Sequence, residues 1–272
     1  MGVDADNVLV RVITLNEAVM ATVKRISTLP DPVPDSLIAA DDRVCPGVEL
    51  SSHIGHHLVP SAIDHIWYLT SSISGTRNFP VFGAFTLARS TIETASTMLW
   101  VMAPYDRRTR LMRHLRLEVA NVNAARKMMQ SQNEVGTFMG YSVAPDAPDE
   151  FVAGRRAAVM AAAERLELSS AEIERPPTIT SIIKEAAQES GESPQVFLDW
   201  QIASGAAHGK SWSGLLTLRP KEGWGSEARR KADTDRSGGI SMMVDIAERS
   251  LVTLGRGLDR LEELRATTET AG

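Results

Sequence analysis

Apolar residues recur at helical spacing along most of this chain. Near the amino terminus they lie three or four positions apart, as expected for one face of an α-helix over residues 7–27; they are Val8, Val12, Leu15, Val19 and Val23. The strict alternation of apolar and polar positions that indicates a β-strand is missing. The pattern therefore predicts an all-α protein.

Proline and glycine divide the rest of the sequence into further helices. A helical stretch over about 48–74 is predicted to be interrupted at Pro60. A short helix is predicted to end at 189, and the next begins at Pro194. The other predicted helices cover residues 81–102, 107–132, 149–166 and 240–267. Residues 133–148 predict a connector, and the charged residues 219–238 predict a mobile loop. Together these elements predict a helical bundle of about seven to eight helices. We expect a single domain over residues 1–272, with its N-terminal helix in 1–30 and its core in 48–215.

The last predicted helix has the clearest amphipathic stripe. Its apolar positions, at helical spacing and opposite a charged face, are Met243, Ile246, Leu251, Leu254, Leu258, Leu261 and Leu264. Such a stripe either closes the core of the chain or forms the interface between two copies of it. We expect a homodimer, for which this helix is the best candidate interface.

Composition narrows the class of protein. The formal net charge of −5 argues against a dedicated nucleic-acid binder, which usually carries a basic domain. No apolar run approaches the roughly 20 residues that span a bilayer, and the acidic start Met1-Gly2-Val3-Asp4 does not resemble a secretory signal. Cys45 is the only cysteine, so it forms no intrachain disulfide, and no base adjoins it in sequence. We expect a cytoplasmic protein without a membrane segment or a cofactor, in which Cys45 is inert.

The most informative segment runs from Asp199 to Trp212. His208 followed by Gly209 is typical of a helix C-terminus, because glycine tolerates the left-handed capping conformation and the helix dipole favours a protonated imidazole there. Ser204 lies four residues before His208, so both side chains face the same way on a helix, as in a nucleophile and its base. The alternative, which we favour, is a buried His208 that Ser204 or Glu93 holds in place.

A polar stripe crosses the otherwise apolar helix predicted over residues 81–102. Thr86, Arg89, Glu93 and Thr97 are three or four positions apart. Arg89 and Glu93 can pair with each other, or Glu93 can orient His208 or His114; a structural ion pair is the favoured interpretation, because buried charges must be paired. This stripe is also the best candidate partner for the segment that carries His208.

Basic residues are concentrated at the start of the next helix, at Arg107, Arg108, Arg110, Arg113, His114 and Arg116. They surround the helix instead of following one face, and arginine at a helix N-terminus opposes the helix dipole. Carboxylate partners elsewhere in the chain are the favoured explanation. The alternative is an anionic ligand or RNA.

A histidine cluster precedes and follows Pro60. On an uninterrupted helix His53, His57 and Asp64 would lie nearly on one line, which is a metal-ligand arrangement. Pro60 lies between His57 and Asp64, however, and the glutamate of hydrolytic zinc helices is missing from positions 54–56. The favoured alternative is that these histidines are half-buried and hydrogen-bonded in a packing layer.

The chain resembles a group of all-helical bacterial proteins marked by two segments. The first segment reads LARSxIExA and is followed by a tryptophan, an acidic turn and arginines; here these are Leu87–Ala95, Trp100, and Asp106 with Arg107 and Arg108. The second segment reads SGxAHG and corresponds to residues 204–209. The likeness covers about residues 50–215, and it implies an all-helical fold but no particular activity.

A looser resemblance is to the HEPN superfamily, helical bundles that often dimerise and include RNA-cleaving toxins and defence proteins. The motif of this superfamily is an arginine, usually followed by a polar residue, and then a histidine four to six residues on, commonly followed by glycine. His208-Gly209 resembles the end of this motif, but Ala203 stands where the arginine is expected and Ser204 where the polar residue is expected. Arg108 and His114 have the motif's separation but lack the glycine. In such enzymes the arginine would stabilise phosphate charge and the histidine would transfer a proton.

Three functions follow as expectations. The first is a HEPN-like interaction or regulatory module without strong catalysis, with RNA or a protein as partner. The second is a metal-independent HEPN-like ribonuclease that uses His208 or His114 with Arg89, Arg108 or Arg113. The third is a metal-dependent enzyme at His53, His57 and Asp64.

Overall fold

The computed structural model describes residues 5–75, 81–139, 147–189, 191, 194–213 and 236–268. Of these residues 84% are helical, and they form no strand. The only strand-like pairing among them is one isolated bridge between Ser36 and Thr268. The prediction of an all-α protein is therefore confirmed.

The described residues form eleven α-helices, more than the seven to eight predicted. They are α1 (Ala5–Ser27), α2 (Leu37–Val44), α3 (Leu50–His53), α4 (Val59–Gly75), α5 (Val81–Met102), α6 (Arg107–Met139), α7 (Ala147–Arg165), α8 (Ser170–Ile173), α9 (Ile179–Glu189), α10 (Gln195–Ala207) and α11 (Arg236–Ala266). The extra helices are the short α2, α3 and α8, of 4 to 8 residues. Helices this short complete between about one and two turns, which is too little for a periodic pattern to be visible in a window of roughly 11 or more residues.

The predicted interruption before Pro60 is a π-helical turn. Residues Ile54–Leu58 form this turn between α3 and α4, and Pro60 is the second residue of α4. Proline has no N–H to donate to the preceding turn, and a π-helical turn is one of the ways in which a helix accommodates such a break in its hydrogen bonds. The wider turn also changes the angle between successive side chains, so the line expected through His53, His57 and Asp64 is not that of a regular α-helix.

The start of α6 was predicted correctly and its end was not. Asp106 caps the helix, since its Oδ2 accepts the backbone N–H of Thr109 at 2.8 Å. The helix continues to Met139, through part of the predicted connector 133–148. The glycine at position 136 weakens a helix by about 1 kcal/mol but does not by itself end one. The predicted mobile loop 219–238 falls mostly on residues 214–235, outside the described part of the chain.

The chain divides into two compact units. One comprises residues 1–30, 57–100 and 179–259, and the other comprises residues 31–56, 101–178 and 260–272. Each unit combines segments that are far apart in sequence, and the single domain stays a prediction. None of the described helices is long and apolar enough to cross a membrane.

The first unit has one continuous hydrophobic core. The predicted face of α1 is buried at Val8, Val12, Leu15 and Val19, each at most 7% exposed, while Val23 is half-buried. This face packs on α4, where Ile66 and Leu69 are fully buried. The remaining core side chains come from α5, α9, α10 and α11. Burial of this apolar area is the main force that holds the unit together.

The stripe of α11 also lies inside the chain. Met243, Ile246, Leu254, Leu258 and Leu264 are completely buried, and Leu261 is 5% exposed. Only Leu251 of the predicted stripe is half-buried. These side chains are therefore buried within the chain, Met243 to Leu258 in the first unit and Leu261 and Leu264 in the second. A stripe buried within the chain was one of the two alternatives, and the homodimer stays a prediction that needs another surface.

The end of α10 has the geometry of a Schellman cap. His208 is the last residue of the helical path, and Gly209 adopts the left-handed conformation with φ +64°. The N–H of Gly209 donates to Ala206 O at 3.1 Å, and the N–H of Lys210 donates to Gly205 O at 2.9 Å. The predicted stop at His208-Gly209 is confirmed.

The chain then turns back so that the ring of Trp212 lies against Gly205. A Cβ at position 205 would lie 2.5 Å from Trp212 Cη2, which is inside van der Waals contact. Any larger residue at position 205 would therefore require the indole to move.

We predict that Gly205→Ala destabilises the protein by about 1–3 kcal/mol, because the added methyl overpacks against the indole. The matched control is Gly154→Ala in α7, where a Cβ meets nothing within 4 Å. That change should be neutral or stabilise by up to about 1 kcal/mol through helix propensity. Urea unfolding followed by circular dichroism measures both; equal stability of the two variants would contradict the packing argument.

Candidate functional site

The polar stripe of α5 forms an ion pair that also contacts α10. Arg89 Nε donates to Glu93 Oε1 at 2.7 Å, and Trp200 Nε1 donates to the same oxygen at 2.8 Å. Both charged side chains are about one quarter exposed. The hydroxyls of Thr86 and Thr97 donate instead to carbonyls of their own helix. Arg89 and Glu93 are therefore the members of the stripe that are available to chemistry.

Arg89 contacts His208 directly. Its Nη1 lies 2.8 Å from His208 Nε2. A guanidinium has only donors, so Nε2 accepts this hydrogen bond and the ring proton sits on Nδ1.

His208 is exposed, whereas the favoured interpretation of the sequence buried it. Ser204 is half-buried one turn earlier on α10, where its carbonyl accepts the N–H of His208 at 3.1 Å. The side chain that holds the imidazole is Arg89, and neither Ser204 nor Glu93 does so directly. An exposed imidazole beside a partly exposed guanidinium can reach a ligand in solution.

The sequence indicated this meeting of α5 and α10 but not its details. It identified the stripe on α5 as the best partner of His208, yet it offered Glu93 as the orienting residue. Glu93 acts one step away, since it orients Arg89. Trp200 was missed as a second donor to Glu93; its place eight residues before His208, on the same helix, is the signal that could have indicated it.

The arginines of α6 have partners within the second unit. Asp41, which is fully buried, accepts from Arg107 at 3.1 Å and from Arg110 at 2.7 Å. Arg108 pairs with Glu172 at 3.0 Å, and Arg116 donates to the carbonyl of the same residue. These contacts agree with the favoured explanation that carboxylates elsewhere in the chain compensate the basic cluster.

Arg108 and His114 do not form a pair. Six residues on an α-helix correspond to a rotation of about 600°, so the two side chains leave α6 in different directions. Arg108 is half exposed, whereas His114 is 1% exposed. The Nε2 of His114 lies 2.7 Å from Val48 O, to which it donates. His114 therefore does not face a ligand in solution, although the sequence offers it as an alternative to His208.

The structure does not assemble the predicted metal ligands as a set. His53 is buried, and its Nδ1 lies 2.6 Å from Glu118 Oε1. His57 and Asp64 are exposed. Among the described residues, the group of side chains with metal-ligand spacing is His53, His114 and Glu118. The prediction included one of these three residues in its metal site and placed another, His114, in a catalytic role.

Glu118 is the residue that sequence reasoning missed. It is fully buried, and Arg155 of α7 pairs with its other oxygen at 2.8 Å. Burial opposes ionisation, but the hydrogen bond from His53 and the surrounding charges lower the pKa of Glu118 to about 2. His114 and Glu118 are four residues apart on α6, which was a readable signal for a shared face.

Cys45 is as inert as expected. Its side chain is fully buried, and burial together with the charges of Asp41 and Asp42 raises the pKa of the Cys45 thiol to about 12. The reactive form of cysteine is the thiolate. At neutral pH this residue is therefore a small apolar side chain and has no nucleophilic role.

Comparison with known proteins gives no relative for this arrangement. A scan against protein families, a search of curated proteins and a search of solved structures each found no match. The two resemblances described above stay predictions that rest on the residues quoted for them.

We predict that a thiol reagent such as DTNB reacts more slowly with Cys45 in the native protein than in the chain unfolded in guanidinium. At pH 8 the difference should be at least on the order of 1,000-fold, because the thiolate fraction of Cys45 is much smaller in the native protein. Absorbance at 412 nm follows both reactions. Full reaction of the native protein within minutes would contradict the burial and the raised pKa.

A second prediction concerns acid stability. Burial lowers the pKa of His114 to about 4. The unfolded chain takes up this proton near pH 6.5, whereas the folded protein stays neutral down to about 4, so this residue removes stability as the pH falls between those values. The loss amounts to about 3 kcal/mol by pH 4.

Urea unfolding at several pH values in EDTA measures this effect. His114→Gln should make the decline of stability between pH 6.5 and 4 shallower by about that amount. His56→Gln is the matched control, since it makes the same substitution at an exposed histidine. Parallel declines for wild type and His114→Gln would show that this histidine is protonated as readily in the folded protein as in the unfolded chain.

Proposed function

We propose that this protein is a HEPN-like, metal-independent ribonuclease whose reaction centre is Arg89 and His208. The observation that carries the proposal is the 2.8 Å contact between Arg89 Nη1 and the exposed His208. The sequence has Ala203 where the HEPN arginine is expected, upstream of the histidine. In the folded chain Arg89 brings a guanidinium to His208 from a different helix.

The chemistry of RNA cleavage fits these two side chains. The 2′-hydroxyl attacks the adjacent phosphorus, the bond from phosphorus to the 5′-oxygen breaks, and one proton moves from the 2′-oxygen to the departing 5′-oxygen. A neutral His208 can accept that proton at Nε2 and then return it. Arg89 would turn from the imidazole to the phosphate and stabilise the negative charge that develops there.

Glu93 and Trp200 act as positioning residues in this proposal. The described contacts of Arg89 use one N–H for Glu93 and one for His208, out of the five that a guanidinium carries. The hydrogen bond from Arg89 Nε to Glu93 fixes the plane of the guanidinium, while the N–H groups at its far end remain for the phosphate of RNA. Trp200 in turn fixes the oxygen of Glu93 that holds Arg89.

A second candidate is the HEPN-like interaction or regulatory module without strong catalysis. It is favoured by the same ion pair, because Glu93 offsets the charge of Arg89 and the Nε2 lone pair of His208 is already engaged. The first unit also exposes large apolar side chains on α1 and α4, including Met20, Trp67 and Tyr68, each at least 45% exposed. Such residues often mark an interaction surface.

RNA cleavage by purified, tag-free protein tests the proposal. We predict that wild type in EDTA cuts a fluorescent single-stranded RNA and leaves 2′,3′-cyclic phosphate ends. His208→Gln and Arg89→Gln should each lower the rate by at least about 100-fold, since proton transfer and charge stabilisation are each worth that much. Arg89→Lys should recover part of the rate, because it keeps the charge without the planar fork.

Arg108→Gln is the matched control, since Arg108 lies on the second unit, where it pairs with Glu172. It should cleave like wild type, and circular dichroism should show all variants to be folded. Cleavage that survives His208→Gln would overturn the assignment of the centre. Binding of RNA without cleavage would favour the interaction module. If the protein neither binds nor cleaves RNA, the search moves to protein partners that co-purify with it.

A further inference from the structure

We propose that the second unit binds one divalent transition-metal ion of the zinc class between His53, His114 and Glu118. One ligand atom from each side chain lies within 4.8 Å of the other two. The three residues come from α3 and α6 and are between 0 and 9% exposed. This site is independent of the ribonuclease proposal, which uses other residues and no metal.

Nδ1 of His114 is the atom that indicates an absent ligand. It is buried and has no hydrogen-bond partner among the described residues. A buried polar atom left in that state costs about 1–3 kcal/mol, so native structures rarely keep one without a reason. A metal ion at this nitrogen would satisfy it.

The other nitrogen of His114 is arranged as in a metal ligand. Its Nε2–H donates to Val48 O at 2.7 Å, which leaves the lone pair on Nδ1. Metal-bound histidines usually donate their second ring N–H to a carbonyl or carboxylate in this way, because the bond fixes the tautomer and the ring orientation.

Glu118 supplies the negative charge that the site needs. Its Oε2 accepts from Arg155 Nε at 2.9 Å, and its Oε1 faces His53 Nδ1 at 2.6 Å. Arg155 therefore fixes the carboxylate with Oε1 turned toward the histidines, although its own charge weakens the attraction for a cation. A metal would replace the hydrogen that now lies between His53 and Oε1.

The donor set selects the kind of ion. Two imidazoles and one carboxylate suit zinc, cobalt or ferrous iron, whereas magnesium and calcium prefer oxygen ligands alone. Ligand atoms about 2.1 Å from a tetrahedral ion lie roughly 3.4 Å apart, so modest side-chain rotations would close the observed spacing. Burial of all three ligands indicates that the ion stabilises the unit.

The test is metal binding by the full-length protein, purified without a histidine tag and stripped with EDTA. Cobalt(II) titration should show one equivalent bound, with visible absorption bands of a four- or five-coordinate ion. Zinc should displace the cobalt and raise the thermal midpoint. No bound equivalent at 0.1 mM cobalt or zinc would overturn the proposal.

Variants locate the site. His114→Gln and Glu118→Gln should each weaken zinc affinity by at least about 100-fold, because even the loss of a residue that only supports a ligand costs up to that much. His57→Gln is the matched control: His57 belongs to the set predicted from sequence but is exposed, and its variant should bind like wild type. Loss of binding only in His57→Gln would move the site to the sequence-predicted ligands.

A measurement on wild type keeps the proposal testable if the buried variants fail to fold. Imidazole nitrogen resonances of ¹⁵N-labelled protein can be recorded with and without one equivalent of zinc. The signals of two buried histidines should shift, and the Nδ1 signal of His114 should move from the position of an unprotonated nitrogen to that of a metal-bound one. Zinc that shifts only exposed histidines would overturn the proposal.

Discussion

In the described part of the chain, the need to pair buried carboxylates with arginines organises both units. Asp41 and Glu118 in one unit and Asp199 in the other are at most 2% exposed, and each accepts hydrogen bonds from at least one arginine. An unpaired ion in such a place would cost several kcal/mol, so the partners are fixed as firmly as the apolar core. These pairs hold helices that are distant in sequence in one arrangement.

The same pairing constraint decides which arginines remain available for binding or catalysis. The basic cluster at the start of α6 invites a role in binding RNA, but Arg107 and Arg110 are committed to Asp41 and Arg108 to Glu172. Arg89 differs because its carboxylate partner leaves part of the guanidinium facing an exposed histidine. We therefore place the proposed surface chemistry at Arg89, whose guanidinium faces a histidine, and not at Arg107 or Arg110, which share a fully buried carboxylate.

The two histidine sites differ in solvent access, and this difference separates their proposed roles. His208 is exposed at a helix end, where a polymeric substrate can reach it. His114 is enclosed, with one nitrogen satisfied by a carbonyl and the other without a partner. Reaction with RNA requires access, whereas a stabilising metal ion is best enclosed. The two proposals can therefore fail or hold separately.

The sequence by itself determined the helical class and most of the helix bounds, because a period of 3.6 residues, capping residues and prolines act locally. It predicted the face of α1, the cap at Asp106 and the stop at Gly209, each of which depends on neighbours within a few residues. It also identified α5 and the end of α10 as partners. The sequence did not predict the short helices or the end of α6, since the local signals there are weak.

Only the tertiary structure decided which side chains meet. The contact between Arg89 and His208 joins residues 119 positions apart, and that between His53 and Glu118 joins residues 65 positions apart. No periodic pattern encodes such pairs, because they depend on how whole helices pack. For the same reason the sequence grouped His53 with its neighbours in the chain, whereas the fold groups it with side chains of another helix.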